Sequence, residues 1–300
     1  MKNLENNVCI NIFMSTKKII FYYQTFKSLK SILVKDTVVT HIHVSSVHFG
    51  TNTDGSPYIH LNDNNPDWSG FDTLWQELLQ AKQLGIKIVL MVGGAGGAFT
   101  DLFSNFEVYY RFLKKLLEEK DIFDGIDLDV EEITPIDNIK KLINRIDADF
   151  GKDFIIAMAP VAYSLQRDTP GMSGFVYKDL FKAPEGKRIN YFNGQFYYDL
   201  TEQTYIDVIN NGYPPDKIVF GMESGEDVEA VQTIVANLTN KYNDFGGVYV
   251  WEYFSAYENN PYEWAIIMNN AMHKTSKNII DNVYDTVSYY YNKMLSISPV

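Results

Sequence analysis

Apolar and polar positions along this chain alternate between two periods. Short apolar runs of the kind that buried parallel strands show stand at 18–23 (KIIFYY), 38–49 (VVTHIHVSSVHF), 86–94 (IKIVLMVGG) and 123–131 (FDGIDLDVE). Four more follow at 154–160 (FIIAMAP), 190–197 (NYFNGQFY), 217–222 (KIVFGM) and 247–252 (GVYVWE). Between them lie stretches of helical period. In the segment 71–85 the apolar positions are 71, 74, 75, 78 and 79, closed by Gly85. Comparable patterns predict helices over 101–119, 136–149, 202–211, 227–241 and 262–273, with a short one near 175–182 and a helix-like connector between the first two strands.

Eight strand–helix units between 18 and 273 match the size of a (β/α)8 TIM barrel, typically about 250 residues. A doubly wound open sheet would want a Gly-rich phosphate turn after its first strand, and none stands there. The expected fold is therefore a single α/β barrel over 16–273. Residues 1–15 are expected to lie outside it, and 274–300 to add a C-terminal helical extension packed on the barrel.

Composition narrows the function. Apolar residues make up 46% and aromatic residues 15%, with 21 Tyr and 19 Phe, enough for a large core and for aromatic binding surfaces. A formal charge of −12 opposes both the phosphate contacts of nucleic-acid binding and adhesion to anionic membranes, while a neutral polymer is unaffected. Cys9 is the only cysteine, which excludes an intrachain disulfide and a Cys-based zinc site. The N-terminal apolar patch VCINIFM is too short and polar for a secretory segment. The chain is expected to be soluble and monomeric, and cytoplasmic or released by a non-standard route.

The candidate chemistry sits on the fourth strand. Side chains alternate along a strand, so Asp127, Asp129 and Glu131 face the barrel interior while Ile126, Leu128 and Val130 face the helices. Carboxylates so close raise one another's pKa, which a structural strand has no use for and a proton donor near neutral pH needs. Glu131, at the strand's mouth, is the natural donor. A divalent-metal loop is the competing reading of clustered acids, but the apolar alternation favours a strand. His41, His43 and His48 on the second strand suggest a metal site, with His41 and His43 on one face, but a third ligand is not evident, and GGAGGAF (93–99) lacks the GK[ST] of a phosphate loop. No metal or cofactor is expected.

The run Asp124-Gly125-Ile126-Asp127-Leu128-Asp129-Val130-Glu131 resembles the DGxDxDxE signature of family 18 glycoside hydrolases at every fixed position. Gln195-Phe196-Tyr197 is similar to that family's QxY element, Met158-Ala159-Pro160 to its MAP segment, and Trp251 to the tryptophan that floors the cleaved sugar's subsite. Met91-Val92-Gly93-Gly94 keeps the glycines of the family's Ser-x-Gly-Gly element but not its serine, and Val161 stands where many members carry an acid.

The resemblance implies substrate-assisted cleavage of β-1,4-linked N-acetylglucosamine chains. In that scheme Glu131 is the proton donor, Asp129 the partner of the acetamido N–H, Asp127 the residue that shares a proton with Asp129, and Tyr197 the holder of the acetamido carbonyl. It further implies substrate contacts from Gln195, Trp251, Met158, Gly93, Gly94, Tyr22 and Asp124, with Trp68 and Tyr23 as weaker cleft candidates. Two other readings remain at this level: an endo-β-N-acetylglucosaminidase acting on N-glycan cores, and a catalytically silent carbohydrate-binding barrel.

Overall fold

The computed structural model describes residues 17–273; the expected N-terminal segment and the C-terminal helical extension fall outside the described residues. Nine strands are described, with helices in every connection from β3 onward: β1 (Lys18–Tyr23), β2 (His41–Thr51), β3 (Pro57–Leu61), β4 (Lys87–Gly93), β5 (Gly125–Asp129), β6 (Ile155–Met158), β7 (Tyr191–Gln195), β8 (Ile218–Glu223) and β9 (Gly247–Trp251). Eight of them, all but β3, pair in parallel in chain order, and the β1–β2 and β1–β9 ladders close the ring. The TIM barrel expected from the alternation is the fold observed.

Strand parity divides the core in two. Ile20, Tyr22, Met91, Ala157, Tyr191, Val219 and Tyr249 fill the barrel interior, whereas Ile126, Leu128, Ile156 and Met158 join the larger layer under the helices. The helices close that layer with apolar stripes. On α4 (Ile136–Phe150) the buried residues are Ile139, Leu142, Ile143 and Ile146, at the spacing of one helical face. Each such side chain contributes about 1.5–3 kcal/mol by leaving water.

Four local features depart from the sequence pattern, the first being that the connector between β1 and β2 forms no helix. The helix expected over 101–119 is two, α2 (Ala98–Ser104) and α3 (Phe106–Lys120), broken where Asn105 leaves helical geometry at φ −149° and ψ 71°. A five-residue helix, α5 (Ala162–Gln166), forms ahead of the expected short one, α6 (Tyr177–Lys182). Finally, β2 runs for 11 residues, well past the barrel rim, where β3 returns antiparallel to it with His48 opposite His60 and Gly50 opposite Tyr58. The remaining helices, α1 (Asp72–Gln83), α7 (Glu202–Asn210), α8 (Val228–Lys241) and α9 (Pro261–His273), fall where the apolar period put them.

Candidate active site

The acids of β5 emerge at the C-terminal mouth of the barrel, where the strand-end loops line a cleft of about 1160 Å³ that exposes Asp129, Glu131, Gln195, Tyr197, Trp251 and Glu223. Their environments differ in depth. Asp127 is fully buried below the cleft, Asp129 is 5% exposed, and Glu131, two residues past the end of the strand, is half-buried.

Asp127 is held from below by the barrel interior. Its Oδ2 accepts from the Tyr22 hydroxyl at 2.6 Å, from Asn193 Nδ2 at 3.4 Å, and pairs with His43 Nδ1 at 2.9 Å. His43 Nε2 lies 3.1 Å from the Tyr191 hydroxyl, so the ring bridges Asp127 and Tyr191. Asp127 Oδ1 has no hydrogen-bond partner among the described residues. Met91, in register with Asp127 on β4, brings a thioether to the barrel interior, so the missing serine leaves Asp127 held through one oxygen only.

Asp129 has few donors. Gln195 Nε2 reaches its Oδ1 at 3.2 Å, Glu131 Oε1 at 3.3 Å and the Ala159 carbonyl at 2.9 Å, tying the two upper acids to the β6 rim. Burial, and then the charges of Glu131 and Asp127, push the Asp129 carboxyl well above the usual carboxylate range. Asp129 therefore holds a proton under conditions where an exposed aspartate has lost its own. The neighbouring Glu132 carboxylate instead accepts from Phe99 N at 2.5 Å and Thr100 N at 3.1 Å, and so caps the start of α2. Of the two consecutive glutamates, Glu131 alone lines the cleft.

Opposite the acids, the Tyr249 hydroxyl donates to the Tyr197 oxygen at 3.1 Å, which leaves the Tyr197 proton free to donate into the cleft. Burial keeps the Tyr197 phenol well above its ordinary pKa, so it stays a neutral donor. Gly221 makes room for this pair, because a Cβ there would stand 2.0 Å from the Tyr249 ring. Trp251 ends β9 with its ring 5.4 Å from that of Tyr22. The backbones of β4 and β5 meet at Gly93, which has φ +102° and where a Cβ would come within 2.2 Å of the Asp129 carbonyl. Gly94 N donates to that same carbonyl at 2.9 Å.

Several expected positions lie elsewhere. Tyr22 is buried beneath the cleft, where its hydroxyl holds Asp127 and its ring packs near Trp251. Met158 points outward into the helix layer, because parity gives Ala157 the inward position on β6. Asp124 lies at the opposite end of β5, where it accepts from Ile88 N at 3.0 Å and pairs with Lys87 at 3.3 Å. Tyr23 is buried in the outer core with its hydroxyl on the Lys27 carbonyl, and Trp68 packs on Phe71 away from the cleft. Met158 and Asp124 are thus not cleft residues, and Tyr22 is a support. Conversely, sequence reasoning left out Tyr249 and gave His43 no role, although an inward-facing histidine beside an acid strand was a readable signal. No group of three or more His, Cys, Asp or Glu among the described residues could hold a metal ion, and no described helix is long and apolar enough to cross a membrane.

A closed parallel barrel with converging polar side chains at its C-terminal rim is the build of a (β/α)8 enzyme. No protein-family model and no curated protein sequence matches the chain, but solved structures do. A fungal endo-β-N-acetylglucosaminidase of glycosyl hydrolase family 18 superposes with a TM-score of 0.76 at 32% identity, covering 85% of this chain and 98% of that one. The chitinase ChiC of Aspergillus fumigatus gives a TM-score of 0.75 at 32% identity, covering 86% and 100%. The catalytic domain of a hyperthermophilic chitinase from Pyrococcus furiosus shares the fold at 12% identity and a TM-score of 0.64, covering 86% and 97%. The chain belongs to glycosyl hydrolase family 18 and is a glycosidase.

Proposed function

We propose that the protein hydrolyses β-1,4-linked N-acetylglucosamine chains, chitin or chitooligosaccharides, by substrate-assisted retention. One observation carries this reading: Asp129, buried and with its carboxyl pushed well above the usual carboxylate range, is linked through Gln195 to Glu131, which faces the cleft. Two carboxyl groups of one strand are thereby given separate roles by their surroundings.

In the first step Glu131 gives its proton to the glycosidic oxygen as the bond from that oxygen to the anomeric carbon breaks. The carbonyl oxygen of the substrate's own 2-acetamido group closes on the anomeric carbon, forming an oxazolinium ion, so no enzyme nucleophile takes part. Asp129 receives the acetamido N–H on a carboxyl oxygen, which orients the group and turns the oxygen's dipole toward the positive charge that develops there. The free proton of Tyr197 is directed to the acetamido oxygen and fixes its approach. Water then attacks the anomeric carbon, returns a proton to Glu131 and opens the ring with retention. Trp251 offers an apolar floor to the pyranose.

The test is hydrolysis of fluorogenic chitobiose and chitotriose by the wild-type protein beside Glu131→Gln. Turnover by the wild type alone supports the proposal. Binding of the oligosaccharide by both with cleavage by neither would make the chain a silent carbohydrate-binding barrel. The similarity to a fungal endo-β-N-acetylglucosaminidase supports a second reading, cleavage within the core of N-glycans. Release of a high-mannose glycan from a glycoprotein, with chitooligosaccharides left intact, would select it.

A further inference from the structure

The β2–β3 hairpin that rises beyond the barrel rim carries three rings in a row on its cleft side. Directly opposed residues of an antiparallel pair share a face, and so do residues two apart, which puts His48, His60 and Tyr58 together with Gly50 on one side. The other side carries Val47, Phe49 and Leu61 into the core, where Phe49 packs edge-on against Tyr109 of α3 at 5.6 Å. The ringed side lines the cleft.

These rings are set in place. Tyr58 lies across Gly50, where a Cβ would stand 2.4 Å from its hydroxyl oxygen and 2.5 Å from Cζ. Its ring centre is 5.5 Å from that of His60, which is 5.6 Å from that of His48 in a stacked arrangement tilted by 21°. His60 is tied through Nδ1 to the Asn62 carbonyl, and His48 through Nε2 to the Ala95 carbonyl at 2.9 Å. Ala95 follows the Gly93–Gly94 turn against Asp129, so the strip begins beside the acids and leads away from them.

We infer that Tyr58, His60 and His48 form an outer sugar platform that grips the part of an N-acetylglucosamine chain lying beyond the cleaved unit. The inference rests on the functional reading above and adds to it where chain length is sensed. The three half-buried rings turn apolar surface to the cleft that the C–H face of a pyranose can cover, while ring edges and the neighbouring Asp63 and Asp101 meet its hydroxyls. The acidic rim and the net charge of −12 disfavour an anionic occupant. The spacing of the ring centres is close to one pyranose unit of an extended β-1,4 chain.

The experiment compares kcat/KM on chitooligosaccharides of increasing length for the wild type, Tyr58→Ala, Gly50→Ala and their double variant. The wild-type rate should climb with length, and Tyr58→Ala should cut the ratio of long-substrate to short-substrate kcat/KM by about tenfold, the size of one lost ring contact. Gly50→Ala, which only pushes the Tyr58 ring aside, should cut the same ratio, and the double variant should lose no more than either alone. Tyr58→Phe should retain the ratio. An unchanged ratio in Tyr58→Ala and Gly50→Ala overturns the platform and leaves the hydrolase reading standing. If no substrate is cleaved, that reading fails, and the platform is judged by calorimetric binding of chitotetraose. Weaker binding by Tyr58→Ala upholds it; equal binding overturns it.

Discussion

Asp124 and Asp129 stand at the two ends of one strand and live under opposite rules. At the lower end Asp124, with its side chain 18% exposed, accepts from Ile88 N and pairs with Lys87, so its charge has partners and braces β4 against β5. At the upper end Asp129 has a single side-chain amide from Gln195, two acids beside it and almost no access to water. Both belong to the same acidic motif. Their difference teaches that membership of a motif does not assign a role; the donors around each carboxyl do.

The largest expected effect tests the upper end directly. Glu131→Gln keeps the shape and the contact with Gln195 but removes the proton, and should lower kcat by about 10²–10⁴-fold, measured on a fluorogenic chitooligosaccharide. Asp129→Asn should follow at about 10²–10³-fold, the loss of an oriented group at the developing charge.

That second variant should move stability the other way. An unfolded aspartate releases its proton near pH 3.9, whereas folded Asp129 holds it to a much higher pH. Across that window the folded state binds the extra proton, so wild-type stability falls as pH rises. Asparagine removes the slope, and the thermal midpoint of the variant should gain on the wild type from about pH 4 upward. A margin that is flat with pH would mean that Asp129 carries an ordinary charge.

Tyr197→Phe should cost about tenfold in kcat, the worth of one hydrogen bond. At the lower end, Asp124→Ala should leave kcat/KM unchanged while costing about 1–3 kcal/mol of stability through the unpaired Ile88 N–H. That amounts to roughly 2–4 °C in melting temperature for each kcal/mol lost in a domain of this size. A loss of rate with no loss of stability would erase the contrast between the two ends.

The barrel was legible because its signal is periodic and repeated. Each of the eight parallel strands was readable from an apolar run, and the inward turn of Asp127, Asp129 and Glu131 from parity alone. What escaped detection depends on contacts between segments distant in sequence. PYIHL (57–61) is short, begins with proline and pairs only with the overrun of β2, so nothing local marks it as a strand. The break at Asn105 falls inside an unbroken apolar period. Met158 was assigned to the cleft by its segment's resemblance, although parity placed it outward, and the roles of Tyr249 and His43 exist only across the closed barrel.

The turn at Gly93 also sets rules for anyone diversifying this cleft. Because β4 touches β5 there without a side chain between them, position 93 is closed to every other residue: a methyl group would push the Asp129 carbonyl and move the acid with it. Two residues earlier, Met91 fills barrel space in register with Asp127, one of whose oxygens has no partner among the described residues, so that position is open to small polar replacements. A combinatorial library built along this strand should therefore fix 93 and vary 91, and its surviving clones should sort by charge state of the acids rather than by loss of fold.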